Sequence, residues 1–180
     1  MDHLGPLCDV GLDEELWRWT VSQVATPDEM RRYIDEALAA QRAGTALPYV
    51  TRDRASGRAI GSTRFGSLDP PHRRVEIGWT WLGRPWQRTA ANTEAKYLML
   101  RRAFETMGWV RVEFKTDALN AQSRAALLRL GAKQEGIFRQ HMTTQSGRLR
   151  DSVYFSILDH EWPTVKQRLE SILGNSGPIH

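Results

Sequence analysis

The sequence predicts an α/β (α+β) fold in which a central mixed, mostly antiparallel sheet carries helices on both faces. Two patterns predict it. Some strand-like segments are joined by short turns, which makes them antiparallel neighbours, whereas others are separated by whole helices and need a crossover. The chain is also of a size and make-up to fold as one unit: 180 residues, 41% of them apolar and 26% charged, the balance of a globular domain rather than a disordered chain. One domain over 1–180 is therefore expected, with no internal repeat or linker.

The elements follow in order. A short helix is expected around Asp13 to Thr20. Thr26-Pro27-Asp28-Glu29 then opens a longer helix: Thr26 suits the N-cap, Pro27 the first turn, and Glu29 completes a capping box. Met30, Tyr33, Ile34, Ala37 and Leu38 recur at helical spacing until Gly44. Leu47–Thr51 and Arg58–Leu68 read as strands around a turn at Asp53–Gly57, and Pro70-Pro71 breaks the chain. In Arg74–Leu82, Val75, Ile77, Trp79 and Trp81 alternate with Glu76, Gly78, Thr80 and Leu82. Strict alternation places the four large apolar residues on one face and Glu76 with Thr80 on the other.

After Gly83-Arg84-Pro85, Asn92 or Thr93 is positioned to cap a helix from Glu94 to about Met107, stopped by Gly108. Val110–Thr116 is the next strand. Asn120 starts a helix ending at Leu130, with Gly131 as its left-handed stop. Two strands, Lys133–Thr143 and Arg148–Leu158, flank a turn at Gln145-Ser146-Gly147, and Trp162–Leu173 reads as a last helix before a loose tail.

Composition narrows the function classes. No run of about 18 apolar residues occurs, so no membrane span is expected, and Met1 to Gly5 has neither the basic nor the apolar region of a signal peptide. A single cysteine, Cys8, excludes a disulfide framework and a Cys-rich metal site. The expectation is a cytoplasmic protein, monomeric or homodimeric, holding no metal. Lys and Arg exceed Asp and Glu by 25 to 21, a net +4, but the arginines are scattered among acids. That pattern suits a localised phosphate-bearing ligand better than a nucleic acid, and no direct nucleic-acid role is expected.

Two segments carry chemistry. Trp86-Gln87-Arg88-Thr89-Ala90-Ala91-Asn92-Thr93-Glu94-Ala95 joins a strand end to a helix start. Its small residues leave backbone N–H groups open at a helix N-terminus, which is either an anion cradle with Arg88 beside it or an ordinary capped loop. Asn120-Ala121-Gln122-Ser123 opens the helix that ends Leu130-Gly131-Ala132, and its plain reading is an N-cap.

Taken together these segments resemble the GNAT superfamily of acetyl-CoA-dependent N-acetyltransferases, over about Leu47 to Trp162. The strand through Val75-Glu76-Ile77-Gly78-Trp79 followed by Gln87–Ala95 is similar to the family's main cofactor motif, and Asn120-x-x-Ser123 with Leu130-Gly131-Ala132 to its second. The ending, Gly136–His141, then Arg150–Leu158 and Glu161-Trp162, is similar to the RimJ/RimL-like branch, which acetylates ribosomal-protein N-termini and other amines. Two departures stand out: Thr89, Ala90 and Ala91 replace the usual loop glycines, and Leu4-Gly5-Pro6-Leu7 is a poor first strand.

The resemblance implies that acetyl-CoA lies where Arg74–Leu82 and Val110–Thr116 splay apart. Trp81 and Leu82 would bond the pantetheine amides, Gln87, Arg88, Thr89, Ala90, Ala91, Asn92 and Thr93 the pyrophosphate, and Asn120 and Ser123 the arm nearest the sulfur. A backbone N–H near Trp79 or Trp81 would face the thioester oxygen. The acceptor would be a primary amine, on a protein N-terminus or a small molecule. Glu76 is the candidate base, or else a surface carboxylate paired with Arg74 or Arg111. Tyr154 or Ser123 would protonate the leaving thiolate, and His141 and Asp151 would line the acceptor site or form a hairpin ion pair. A non-catalytic acyl-CoA-binding module is the alternative reading.

Overall fold

The computed structural model describes residues 3–174. Six strands form one sheet in the order β1-β2-β3-β4-β6-β5, with β1 Leu47–Arg52, β2 Ala59–Asp69, β3 Arg74–Leu82, β4 Arg111–Asp117, β5 Lys133–Thr143 and β6 Leu149–Leu158. Every pairing is antiparallel except β3 with β4. That one parallel pair is the crossover the sequence demanded, and it carries helix α3 (Ala91–Arg101) between its strands. The other helices are α1 (Leu4–Gly11), α2 (Pro27–Arg42), α4 (Ala121–Leu130) and α5 (Trp162–Gly174).

The two faces of the sheet build different cores. On one, Val75, Ile77, Val112, Phe114, Phe155 and Ile157 meet Leu100 of α3, Leu130 of α4 and Leu169 of α5. On the other, Ala59 and Trp81 meet Leu7 of α1, Met30 and Tyr33 of α2, and Trp17 and Val24 between them. The second core covers only the β1–β3 side. The face of β4, β6 and β5 beside it is left open, and it is lined with charges.

Local signals account for most of this. The capping box at α2 forms as written, with Glu29 N–H donating to Thr26 Oγ1 and the Glu29 carboxylate accepting from Thr26 N–H. Asn120 caps α4 by accepting from Ser123 N–H at 3.0 Å, and Gly131 ends it at φ +100°.

Four expectations are corrected. The helix expected at Asp13–Thr20 is a short 3-10 turn over Glu14–Leu16 capped by Asp13, and the N-terminal helix lies earlier, at Leu4–Gly11. The segment Leu4–Leu7 is thus helical because Leu7 and Gly11 recur on one side and bury against Met30 and Trp81. Helix α3 begins at Ala91, before Asn92 and Thr93, and neither caps it; Thr89 Oγ1 instead accepts from Ala91 N–H at 3.2 Å. The same helix gives way to one π-helical turn over Arg102–Thr106 instead of running regular to Met107.

The fourth correction bears on the site. Alternation along β3 breaks at a bulge: Ser62 pairs with Trp81 and Arg64 with Gly78, so Trp79 and Thr80 together oppose Thr63. Trp79 takes φ +51° to make the extra residue fit. The phase therefore flips, and the four large residues do not share a face. Val75 and Ile77 point to α3 and α5, Trp81 to α1 and α2. Glu76 and Thr80 stand on opposite sides of the sheet.

Candidate active site

Strands β3 and β4 run side by side for only three pairs, ending at Glu76–Glu113. Beyond that point β3 continues to Leu82 and β4 to Asp117 without pairing, so the sheet opens into a V. Helix α3 starts after the end of β3 and α4 after the end of β4, which brings both helix N-termini to the mouth of the V. Each motif thus stands beyond the end of one arm.

On the α3 arm, Arg88 adopts φ +60°, a left-handed conformation that costs a non-glycine residue roughly 1 kcal/mol. The residue is exposed. It turns the chain so that the N–H groups of Arg88, Thr89, Ala90, Asn92 and Thr93 make no hydrogen bond within the described residues. Unpaired donors at a helix start attract an anion. Gln87 contributes differently: its Nε2 donates to Leu82 O at 3.0 Å, so one carbonyl of the open β3 edge is already taken. The Trp81 indole is buried in the second core, which leaves only its backbone for a ligand. On the α4 arm, Asn120 Oδ1 is committed to capping and Ser123 is half-buried at the first turn.

Glu76 lies at the fork, 6% exposed. Its carboxylate meets Lys115 Nζ at 3.0 Å and accepts from Ser67 Oγ at 3.3 Å. Arg74 and Arg111, the partners considered from sequence, pair with Glu113 instead, and Arg111 also with Glu135. Lys115 is directly opposite Tyr154 in the β4–β6 ladder, so Glu76, Lys115 and Tyr154 form a row across three strands. They line a cleft of about 450 Å³ with Ser67, Glu113, Glu135 and Phe138. Burial pushes the Tyr154 phenol above its ordinary pKa, outweighing the pull of Lys115, so it holds its proton at neutral pH. Its ring packs on Phe138, 4.6 Å between centroids.

The structure thus gathers Glu76 and Tyr154 in one cleft and the two helix starts at the mouth of the V. No contact joins Ser123 to either Glu76 or Tyr154. His141 and Asp151 do not pair: His141 Nδ1 lies 3.1 Å from Ser152 Oγ, and Asp151 accepts from Gln140 N–H at 2.7 Å. Both serve the irregular stretch of the β5–β6 hairpin. Among the described residues no three His, Cys, Asp or Glu side chains converge as metal ligands, and no helix is long and apolar enough to cross a membrane.

Sequence reading passed over three residues here. Lys115 is one. Lys96 of α3 is another: it is 4% exposed and has no carboxylate partner, and its ammonium donates to Thr63 Oγ1 at 3.3 Å and to Thr80 Oγ1 behind the bulge. Burial lowers it to about 7. The signal was present, since Thr93, Lys96, Leu100 and Ala103 recur at helical spacing and all are buried. Arg64, held between the rings of Tyr33 and Trp79 at 5.0 Å from each centroid, is the third.

Comparison with known proteins gives consistent matches. A family model described as an acetyltransferase (GNAT) domain matches residues 1–133. YdaF of Bacillus subtilis, provisionally named a ribosomal N-acetyltransferase, is 31% identical over 147 residues, 82% of this chain and 74% of its own. A GCN5-related N-acetyltransferase from Brucella melitensis superposes with a TM-score of 0.86 at 34% identity, over 94% of this chain and 76% of that one. RimJ of Mycobacterium smegmatis, solved in complex with CoA-disulfide, shares the fold at a TM-score of 0.71 and 23% identity, over 84% and 71% of the two chains.

Proposed function

The chain belongs to the GNAT acetyltransferase family, and from that premise we propose that it transfers the acetyl group of acetyl-CoA to a primary amine by direct attack. The acceptor is a protein N-terminus or a small-molecule amine. The observation that carries this reading is the parting of β3 and β4 at Glu76, with an unsatisfied N–H cradle at one arm and a protonated phenol beside the fork. Acetyl-CoA brings an activated thioester, so no covalent enzyme intermediate is required. Cys8, half-buried in the second cluster, takes no part.

Each residue then has a task. The unpaired N–H groups of Arg88, Thr89, Ala90, Asn92 and Thr93 hold the pyrophosphate, with the Arg88 side chain adding charge. The open backbone edge at Trp81 and Leu82 bonds the pantetheine arm, and Asn120 and Ser123 bound it from the α4 side. A backbone N–H at the Trp79 bulge, outside the β2–β3 ladder, donates to the thioester oxygen as charge develops there. Most amines are protonated at pH 7, and Glu76 takes up that proton, directly or through a water. Lys115 holds the carboxylate in place through their ion pair. Tyr154, or Ser123 at the mouth, returns a proton to the leaving thiolate.

The test is thiol release from acetyl-CoA with N-terminal peptides, polyamines and amino acids. Turnover with at least one is expected. A rise in melting temperature with acetyl-CoA but no acetylation of any amine would instead make the protein a non-catalytic acyl-CoA-binding module. Glu76→Gln is expected to lower kcat by about 10²- to 10⁴-fold with CoA affinity little changed, and wild-type turnover would remove Glu76 from the role.

A further inference from the structure

Charges on the acceptor side of the sheet are mostly paired, and the exceptions are specific. Beside the fork, Lys115 is paired with Glu76 and Arg148 with Asp117. Arg74 and Arg111 are matched by Asp69, Glu113 and Glu135. Two further cations form no ion pair, and both are buried.

The side chain of Arg64, a residue 6% exposed, makes no hydrogen bond or ion pair among the described residues, and its Nε is buried without a partner. Its guanidinium is fixed between Tyr33 of α2 and Trp79 of the bulge. Arg150, 5% exposed, donates from Nη1 to Trp19 O at 3.3 Å, and its Nε too has no partner. Arg64 shares the face of Trp79 and hence of Glu76, because Phe65 beside it points into the opposite core. Arg150 shares the face of Tyr154, because Val153 and Phe155 point into that core. Burial lowers the Arg150 pKa, opposed by the field of Asp117 and Glu76 at longer range.

An unpaired buried charge is costly, and removal of a natural partner from a buried pair costs several kcal/mol. Stacking between two rings offsets part of that for Arg64. It supplies no acceptor for the guanidinium donors, which match a carboxylate in a bidentate fork. Both arginines belong to the side of the sheet from which an amine would approach Glu76.

We propose that Arg64 and Arg150 form a carboxylate subsite, and that the acceptor is an amine bearing a carboxylate, either the α-carboxylate of a free amino acid or an acidic side chain near a peptide's N-terminus. The inference rests on the acetyl-transfer reading for its direction of approach, and deepens it. It excludes polyamines and other purely cationic amines as preferred acceptors, since two buried guanidinium groups repel them.

Two matched pairs separate the sources. One is a tripeptide amide with aspartate at its second position against its asparagine twin. The other is free alanine against alaninamide, compared at equal concentrations of unprotonated amine. The acidic member of at least one pair is expected to have the higher kcat/KM, by about 10- to 100-fold, the worth of a charge-assisted hydrogen bond at a buried site. The pair that shows it identifies the source. Arg150→Gln and Arg64→Gln should each bring that ratio toward one, and Arg150→Lys should restore part of it. Turnover with no preference for either acidic member overturns the subsite while acetyl transfer stands, as does a ratio unmoved by both substitutions. The wild-type comparison needs no variant, so it still decides where a substitution prevents folding. If no amine is acetylated, tryptophan fluorescence titrated with the members of both pairs in the presence of CoA decides: Trp79 lies against Arg64, and a response to the acidic member alone in either pair supports the subsite, whereas equal responses within both pairs overturn it.

Discussion

Lys96 is the residue whose chemistry departs most from its place in the sequence, where it reads as an ordinary helical lysine. It is buried under β2 and β3 with only threonine hydroxyls for company, and burial brings its pKa down from 10.5 to about 7. The folded state therefore binds fewer protons than the unfolded state between pH 7 and pH 10.5, and stability must rise with pH across that window. Below pH 7 both states carry the proton and the burial penalty is present in full. Lys96→Met lacks this dependence. Its stability relative to wild type is expected to be highest at or below pH 7 and to decline steadily toward pH 10, read from denaturant unfolding at pH 6.5, 8 and 9.5. A difference that stays flat with pH would show that Lys96 finds a counter-charge or solvent. Glu76, by contrast, was legible as a strand residue facing away from Val75 and Ile77. Its partner was not, because Lys115 reaches it only through the β3–β4 register, and three residues of pairing leave no mark in either segment.

At the scale of elements, nearly every strand and helix could be placed from periodicity and caps, because turn residues and apolar spacing are local. What escaped is the phase of β3. A bulge adds one residue without changing composition, so Val75, Ile77, Trp79 and Trp81 look like one stripe although the stripe is cut in two at Trp79. The cut has a structural consequence: it sends Thr80 to Lys96 and leaves Trp79 against Arg64 and Lys115. Close approach of β2 keeps the bulge in register. A Cβ at Gly61 would come within 2.1 Å of the Trp81 carbonyl oxygen, a backbone atom that cannot swing aside. Gly61→Ala is thus expected to destabilise by about 1–3 kcal/mol, as overpacking does, and to lower turnover by moving the bulge. Gly136→Ala, where a Cβ meets nothing within 4 Å, should stay within about 0.5 kcal/mol of wild type. Thermal unfolding of the two variants, side by side, checks the contrast. Equal losses would mean that the tight contact at Gly61 does not govern the strand.

For the whole molecule, the decisive property is that the two faces of the sheet are covered by separate cores with separate duties. Helices α3, α4 and α5 form the larger one and set the mouth of the V. The N-terminal helices form the smaller one around Trp17, whose Nε1 donates to Gly11 O at 2.8 Å and whose ring meets Tyr33 and Trp81 at 5.1 and 5.3 Å between centroids. Tyr33 in turn backs Arg64, and its hydroxyl reaches the Trp79 carbonyl at 3.4 Å. Trp17 thus backs the proposed acceptor side through Tyr33, and it meets the proposed cofactor arm only through the indole of Trp81, not through the backbone that would bond the ligand. Truncating it to alanine should cost about 3–5 kcal/mol, the usual range for a buried tryptophan, and let Tyr33 and the bulge relax. In the proposed enzyme that relaxation falls on one substrate only. The acceptor KM is expected to rise by about tenfold, since small displacements of positioning groups are expensive. The CoA dissociation constant should stay within about twofold, as separated sites behave additively. Steady-state kinetics with varied acceptor, beside a direct CoA titration, measures both. Parallel weakening of acceptor and CoA would mean that the two cores act as one, and that the sheet between them transmits what its faces were built to separate.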